Sequence, residues 1–426
     1  MDIHGPYDAA TDKPWFQSPP PLANGRSIAI IGGGIAGLTT GLALQKQGYQ
    51  VTIFDRGLGP MAQASGNPAA ILEPYLTVGD TTEADFYRSA LCQALDYYIA
   101  IDPEVFLSRG LTKFAKTPSE QHKFAKILLQ GHLPEELRAE NFATKALGVT
   151  ENLNVSETSV SGLHFPTLGA ISPPKIREIL AQKLTIESQK NITHIIHDQQ
   201  WQLYQRGKIC HAADSVVICG GPQSHHFSET TPLPLAVIRG QITLLDGEDY
   251  PAAPHDILCG QGYVIPPFMR QGSKIMIIGA SFGPEGTDIS LRAEDDQENM
   301  KNAEILWPGI SQRTITGRRC SLRAYSPDHL PICGPVPDFT KYSTAYAALR
   351  HGPKHQAFPP ASYQPNLYMV TGLGARGFLT APLLSNMITA LIAGTPLPAA
   401  PHVAEMLHPG RFMIRALIKG LIRSEA

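Results

Sequence analysis

The chain has 426 residues, more than one hydrophobic core usually supports, so we expect two domains or one large fold with an inserted lobe. Hydrophobic residues make up 43% and charged residues 17%, with 38 Gly and 36 Pro, which indicates a globular, loop-rich chain and excludes disordered and collagen-like classes. The net charge of -2 provides no global field for nucleic acid, so any RNA contact has to come from local patches.

The termini and the cysteines indicate the cellular compartment. The six cysteines form no C-x-x-C pair, which favours a reduced, cytoplasmic protein without a metal site. No basic segment followed by an apolar run marks a secretory signal, and no stretch has about 20 apolar residues in a row, so we expect no membrane segment. Residues 1–26 contain a proline run without periodicity, which predicts an extended leader or linker.

A β-α-β unit begins at Ser27, with strand SIAII, turn GGGIAG, a helix, and strand YQVTIFD. Gly32, Gly34 and Gly37 form G-x-G-x-x-G, in which the glycines permit a tight turn, approach of a pyrophosphate and close packing of helix on strand. Asp55 ends the second strand, where its carboxylate can accept hydrogen bonds from a ribose. The pattern predicts dinucleotide binding.

Further elements follow in chain order. We predict helices over 82–101, over 175–184 after two prolines, and over the acidic stretch 293–306, with strand-rich sequence between the last two. The strand NLYMV, a glycine turn and a helix over 382–392 then precede a basic tail.

The glycine turn near the end is a second G-x-G-x-x-G match, formed by Gly372, Gly374 and Gly377. No acidic residue lies near 20 residues beyond it, and too little chain remains for a second nucleotide domain. We therefore predict that this turn and its helix return to the first domain.

Several motifs together carry a family resemblance. GGGIAG with Asp55, SVVICGG, VIRGQITLL, RAYSPDHLPICG and GLGARGFLTAPLL resemble the D-amino-acid oxidase and glycine oxidase superfamily of FAD enzymes. ASGNPAAILEPYL, IIGASFGPEGTDISLRAEDDQEN and HPGRFMIRALIKG further resemble the FAD-dependent oxidoreductase domain of the MnmC family, which modifies the wobble uridine of tRNA. No methyltransferase domain precedes the leader, so we expect a free-standing oxidoreductase half, with a separate methyltransferase as a candidate partner.

The resemblance implies an α/β fold: a discontinuous Rossmann-like FAD-binding domain and a D-amino-acid-oxidase-like substrate domain with a mixed or antiparallel sheet. It implies non-covalent FAD, because Cys320 lies one residue away from the position where some sarcosine oxidases tether the flavin. The expected boundaries are a leader at 1–26, the FAD domain at 27–90, 168–230 and 334–400, the substrate domain at 91–167 and 231–333, and a basic tail at 401–426.

The resemblance also implies the site residues. Arg323, five residues before Asp328, is expected to clamp the substrate carboxylate with its planar guanidinium. Arg376 completes that clamp, contacts the flavin or merely caps the glycine turn, and His329, like Tyr325, is a candidate for bonding the substrate amine. The further cofactor contacts expected are Ser65, Gly66 and Asn67 near the flavin ring, Gly220 and Gly221 after strand SVVIC, and Gly372, Gly374 and Gly377, whose helix faces the pyrimidine end of the flavin.

The tail carries Arg411, Arg415, Lys419 and Arg423 at four-residue spacing, which predicts one basic stripe along a helix. Such a stripe suits RNA phosphates, and a membrane surface or a solvated face are the alternatives.

The implied function is FAD-dependent oxidation of the carboxymethylaminomethyl group of tRNA wobble uridine, which gives the aminomethyl form and glyoxylate. The alternatives are a free amino-acid oxidase or dehydrogenase acting on glycine, sarcosine or a D-amino acid, and a non-catalytic RNA-binding protein stabilised by FAD. The sequence leaves the electron acceptor, the oligomeric state and the choice of tRNAs open.

Overall fold

The chain divides between two compact units, seen in a computed structural model that describes residues 11–130, 139–141, 161–248, 254–352 and 357–422. The first unit comprises Met1–Ser65, Arg177–Val237 and Arg323–Ala426, and the second comprises Gly66–Ile176 and Ile238–Leu322.

The helices and strands are numbered in chain order. The α-helices are α1 Ile35–Lys46, α2 Thr82–Ile101, α3 Pro118–Gln130, α4 Pro173–Ala181, α5 Ala293–Leu306, α6 Phe339–Ala345, α7 Gly377–Ala393, α8 Pro401–Leu407 and α9 Arg411–Ile418. The strands are β1 Ser27–Ile31, β2 Gln50–Phe54, β3 Ala70–Ile71, β4 Phe106–Phe114, β5 Glu140–Asn141, β6 Gly162–Ile171, β7 Thr185–Glu187, β8 His194–Asp198, β9 Gln200–Gln205, β10 Lys208–Ala213, β11 Ser215–Ile218, β12 Ala236–Asp246, β13 Ile257–Cys259, β14 Tyr263–Arg270, β15 Ser273–Gly279, β16 Ile315–Tyr325, β17 Ile332–Pro337 and β18 Tyr363–Thr371.

A six-stranded sheet in the order β17-β18-β11-β1-β2-β7 forms the centre of the first unit. All of its pairings are parallel except that of the edge strand β17 with β18. The central strands are continuous apolar runs because both faces of a parallel sheet are covered. Helices α1 and α7 share a hydroxyl contact, Thr39 Oγ1 to Ser385 Oγ at 2.6 Å, so the first and last parts of the chain join in one domain.

The same unit contains a small antiparallel sheet, β10-β9-β8, and the C-terminal helices. Trp201 and Leu203 of β9 are buried against the core of the parallel sheet. Trp15, in a short 3-10 helix at Pro14–Phe16, packs edge to face on Tyr346. The Tyr342 hydroxyl donates a hydrogen bond to the Trp15 carbonyl oxygen at 2.7 Å. The described part of the leader is therefore attached to the first unit.

A nine-stranded mixed sheet organises the second unit, in the order β16-β12-β15-β14-β13-β4-β6-β3, with β5 beside β6. Most of the pairs are antiparallel, whereas β13 and β4 run parallel. Asp296, a buried residue of α5, accepts hydrogen bonds from Gln241 and Thr243 of β12. The polar face of α5 is thus tied to strand β12.

The expected fold class is confirmed, with a discontinuous α/β domain and a separate mixed sheet. The unit boundaries differ from the expected ones: residues 66–90 and 168–176 belong to the second unit, since β3 pairs with β6, while 231–237 and 323–333 belong to the first. The predicted helices at 82–101 and 293–306 are present with those bounds. Within the described ranges, no helix is long and apolar enough to cross a membrane.

Among the residues that the structure describes there is no group of three or more His, Cys, Asp or Glu side chains arranged to hold a metal ion.

His408, between α8 and α9, is a buried neutral base. Its Nδ1 accepts the Gly410 N–H at 3.0 Å, and its Nε2 lies 3.1 Å from the Tyr363 hydroxyl. Burial, together with the charge of Arg411, lowers the pKa of His408 to about 3. The unfolded chain therefore binds a proton at this residue near its ordinary pKa of about 6.5, while the folded chain stays neutral.

We expect the first unit to lose stability as the pH falls below about 6.5, and that loss should continue towards the folded pKa of about 3. His408→Gln should lower the melting temperature near pH 7 and reduce its fall between about pH 7 and about pH 5. The matched control is His122→Gln at an exposed histidine, which should leave the slope unchanged. An unaltered pH slope in His408→Gln would contradict this assignment.

Candidate active site

The first glycine turn connects β1 to α1 at the carboxyl end of the parallel sheet. Gly32 has a φ of 112°, and a Cβ there would lie 2.5 Å from the Cys219 carbonyl oxygen. A Cβ at Gly37 would lie 1.9 Å from the Gly32 carbonyl oxygen, so only glycine permits this approach of helix to strand. A Cβ at Gly34 would meet one described atom within 4 Å beyond its chain neighbours, Ser65 Oγ at 3.3 Å.

Asp55 lies beside this turn, as predicted for a ribose acceptor. Its Oδ2 accepts the Gly33 N–H and its Oδ1 accepts the Gly57 N–H, each at 2.7 Å. A carboxylate has about four acceptor positions, so both oxygens can accept further hydroxyl groups. Ser65 Oγ accepts the Ile35 N–H at 3.0 Å, which places this side chain at the N-terminus of α1.

The residues of this turn fit FAD. Gly34 lies at a helix N-terminus, where partial positive charge would favour a pyrophosphate, and Asp55 would offer acceptors to a ribose. Gly220 follows β11 and lies beside the turn, its nitrogen 3.0 Å from the position of a Cβ on Gly32. Gly221 has a φ of 55°, and its carbonyl oxygen accepts a hydrogen bond from Thr371 at 3.1 Å.

The second glycine turn connects β18 to α7 on the same side of the sheet. Gly372 and Gly374 have φ values of 71° and 56°, and Gly377 is the first residue of α7. The Gly374 N–H donates to the Ala324 carbonyl oxygen at 3.0 Å, and a Cβ on Gly374 would lie 2.4 Å from a Tyr325 ring carbon. The turn is therefore fitted to the end of β16.

Arg323, Tyr325 and Arg376 form one cluster at this junction. The Arg323 side chain and the Ala375 backbone both hydrogen-bond to the Tyr325 side chain. Burial raises the pKa of Tyr325, while the positive charges of Arg323 and Arg376 act in the opposite direction. Both arginines are half-buried, and both of their charges act on the Tyr325 phenol. A carboxylate-binding role for this cluster stays a prediction.

His329 is less closely tied to this cluster. Its side chain is exposed, and its ring centre lies 6.0 Å from that of Tyr325. Its φ of 57° is unusual for a residue with a side chain. A role with the substrate amine stays a prediction.

The basic stripe predicted for the tail is wrong at Arg411. This side chain is 1% exposed and its guanidinium binds both oxygens of Asp328, so it cannot meet RNA phosphates. Arg415 also binds Asp328, at 2.5 Å. Helix α9 ends at Ile418 and Gly420 follows with a φ of 66°, so the stripe does not continue along one helix. Arg423 lies outside the described residues.

The sequence did not predict that Asp328 binds Arg411 and Arg415, because these partners lie 83 and 87 residues away in the chain. Burial alone would raise the pKa of Asp328, but the hydrogen bonds and charges of Arg411 and Arg415 hold it well below its usual range. Asp328 is thus an ionised anchor for two arginines.

Three predicted residues lie in the second unit. Gly66 begins that unit, and Asn67 Oδ1 accepts a hydrogen bond from Arg319 at 3.1 Å. Cys320 Sγ accepts a hydrogen bond from Arg239 at 3.3 Å. Flavin contacts of Gly66 and Asn67, and the non-covalent attachment of FAD, stay predictions.

We expect Gly34→Ala to retain the apoprotein fold, because the φ of -73° suits alanine and a small shift of Ser65 Oγ, 3.3 Å from the new methyl group, accommodates it. FAD affinity should fall by at least about tenfold, since the methyl group occupies the space for the pyrophosphate. Gly317→Ala on β16, where a Cβ makes only ordinary contacts with Leu244, is the matched control. Flavin titration and the apoprotein melting temperature are the measurements. Wild-type FAD affinity in Gly34→Ala would contradict this placement.

Comparisons with known proteins identify the family of this chain. The sequence model of the FAD dependent oxidoreductase (DAO) family matches residues 27–391. The tRNA 5-methylaminomethyl-2-thiouridine biosynthesis bifunctional protein MnmC of Pseudomonas savastanoi pv. phaseolicola is 31% identical over 433 residues, covering 96% of this chain and 62% of that protein. The MnmC protein of Magnetococcus marinus is 30% identical over 95% of this chain and 62% of that protein. The chain therefore spans about 62% of the length of these relatives.

Solved structures share the fold. Glycine oxidase from Geobacillus kaustophilus has a TM-score of 0.66 at 20% identity, over 86% of this chain and 95% of that chain. L-proline dehydrogenase from P. horikoshii has a TM-score of 0.68 at 16% identity, over 92% of this chain and 99% of that chain. With the glycine turns, Asp55 and the family match over 27–391, the chain belongs to the DAO family of FAD-dependent oxidoreductases, and its cofactor is FAD.

Proposed function

We propose that this oxidoreductase acts on the carboxymethylaminomethyl group of the wobble uridine in tRNA, leaving the aminomethyl group and releasing glyoxylate. The similarity to MnmC proteins over 96% of the chain carries the proposal, because their name refers to 5-methylaminomethyl-2-thiouridine in tRNA. That product differs from an aminomethyl group by one methyl on nitrogen. We therefore also propose that a separate methyltransferase acts on the product, and that the enzyme works in the cytoplasm, where tRNA is present.

The arginine cluster supports this substrate. The group to be oxidised is a secondary amine with a glycine-like carboxylate. In this proposal Arg323 and Arg376, whose charges both act on Tyr325, bind that carboxylate. Fixing the carboxylate fixes the methylene carbon between it and the nitrogen, which lowers the entropic part of the barrier.

The same charges favour the reactive form of the amine. Two guanidinium groups near the nitrogen disfavour its protonated form, so the lone pair needed for oxidation is retained. FAD, when bound, supplies the acceptor for a hydride from the methylene carbon. The nitrogen loses its proton, and water adds across the carbon–nitrogen double bond of the substrate. Cleavage then gives the primary aminomethyl group and glyoxylate.

The free amino-acid alternative shares the same clamp, and contacts to tRNA separate it from our proposal. Arg411 is buried and Arg415, although exposed, is paired with Asp328, so exposed Lys419 at the end of α9 is the member of the predicted stripe that we test. The logarithm of tRNA affinity should fall linearly with the logarithm of salt concentration, and each phosphate contact should contribute roughly -0.7 to -0.9 to that slope.

We expect Lys419→Glu to raise the Michaelis constant for tRNA and to make the salt slope less steep by about one contact, without changing the flavin spectrum. Lys208→Glu, at an exposed residue of β10, is the control. A slope equal to that of the wild type would remove Lys419 from the tRNA surface.

We expect Arg323→Lys to retain FAD and to lower kcat/KM on undermodified tRNA by at least about 100-fold, because lysine cannot grip the carboxylate at two points. Nucleoside mass spectrometry of the tRNA and trapping of glyoxylate are the two measurements. Unchanged rates in this variant would show that the carboxylate binds elsewhere. Rapid oxidation of free glycine or sarcosine, with no reaction on tRNA, would favour the amino-acid alternative.

A further inference from the structure

The loop Ser326–Leu330 directly follows the strand that carries Arg323 and Tyr325. It is closed by internal hydrogen bonds: Ser326 Oγ contacts Asp328 Oδ1 at 2.8 Å and the Leu330 carbonyl oxygen at 2.6 Å. The His329 N–H donates to the Ser326 carbonyl oxygen at 3.0 Å, with His329 itself in the left-handed region. This unusual conformation needs support from neighbouring residues.

Arg411 supplies that support from behind the loop. Its Nε and Nη2 donate to the two oxygens of Asp328 at 3.0 and 2.9 Å, and Nη2 also donates to the Leu330 carbonyl oxygen at 3.1 Å. Its Nη1 donates to the Leu407 carbonyl oxygen at 2.9 Å. The guanidinium therefore connects the middle and the C-terminal end of the loop to the last residue of α8 and the first residue of α9.

Arginine is specifically suited to this position. All three of its nitrogens are used, in directions that a planar fork provides and a lysine ammonium does not. A buried ion pair often adds little net stability compared with apolar packing, so its geometry is the more informative property. Here the geometry defines the course of the chain immediately after Tyr325.

The loop is linked in turn to the arginine cluster. Ala324, between Arg323 and Tyr325, accepts the Gly374 N–H, and the turn of Gly374 leads into Arg376. A shift of the loop after Tyr325 would therefore displace Arg323 relative to Arg376.

We propose that Arg411 is a positioning residue, which through Asp328 and the loop Ser326–Leu330 holds Arg323 at the spacing from Arg376 that a substrate carboxylate requires. This inference rests on the carboxylate-binding role proposed for Arg323. The inference gives Arg411 a role in positioning a substrate-binding residue of the first unit, instead of the RNA contact that the sequence predicted.

The test compares Arg411→Lys and Asp328→Asn with a matched control, Arg26→Lys. Arg26 forms an exposed pair with Asp214 at 3.2 Å, at the amino end of the parallel sheet and remote from the glycine turns. The probe is methoxyacetate, which has the carboxylate and methylene of the substrate group with oxygen in place of nitrogen. Its dissociation constant is measured from the flavin absorbance of the holoenzyme, together with FAD content, melting temperature, kcat and KM.

We expect both loop variants to retain FAD and to bind methoxyacetate at least about tenfold more weakly, while the Arg26→Lys control changes less than about twofold. Asp328→Asn keeps an acceptor for Ser326, so it provides the result if Arg411→Lys does not fold. Wild-type affinity for methoxyacetate in the folded loop variants would overturn the proposal.

A double variant separates positioning from general structural damage. If Arg411 acts through Arg323, Arg411→Lys should have little further effect on methoxyacetate affinity once Arg323→Lys is present. If instead the two substitutions weaken methoxyacetate binding independently, so that their fold-changes multiply in the double variant, the inference is overturned and the proposed function stays intact. Unchanged methoxyacetate binding in Arg323→Lys alone would instead count against the proposed clamp.

Discussion

The contact between Gly37 and the Gly32 carbonyl oxygen is the constraint on which the site depends. Because a Cβ at Gly37 would lie 1.9 Å from that oxygen, α1 can approach β1 only with glycine at this position. The approach sets the N-terminus of α1 beside Asp55 and Ser65. Since α7 packs on α1, the same contact also determines where the second glycine turn lies.

Charge is arranged locally in a chain that is almost neutral overall. Arg323 and Arg376 are half-buried, and both of their charges act on Tyr325. Arg411 and Arg415 share the single carboxylate of Asp328. The net charge of -2 gives no indication of this local distribution.

Much of the fold could be predicted from sequence because its signals are local. The β-α-β unit is defined by an apolar run, three glycines and Asp55 within 29 residues, and α2 and α5 have clear apolar periodicity or acidic first turns. Strand β17, with sequence ICGPVP, was not predicted because its prolines oppose a strand, and it is tolerated as an edge strand. The tail was misinterpreted because four-residue spacing shows which residues share a helix face, but not which face is buried. Arg411 is buried by Asp328, a partner that no local pattern indicates.

The most direct test of the central claim is nucleoside mass spectrometry of tRNA from a strain that lacks this gene, compared with the same strain carrying the wild-type gene or Arg323→Lys. We expect carboxymethylaminomethyl uridines to accumulate in the deletion strain, to disappear with the wild-type gene, and to persist with the variant. An unchanged nucleoside profile in the deletion strain would contradict the proposed function.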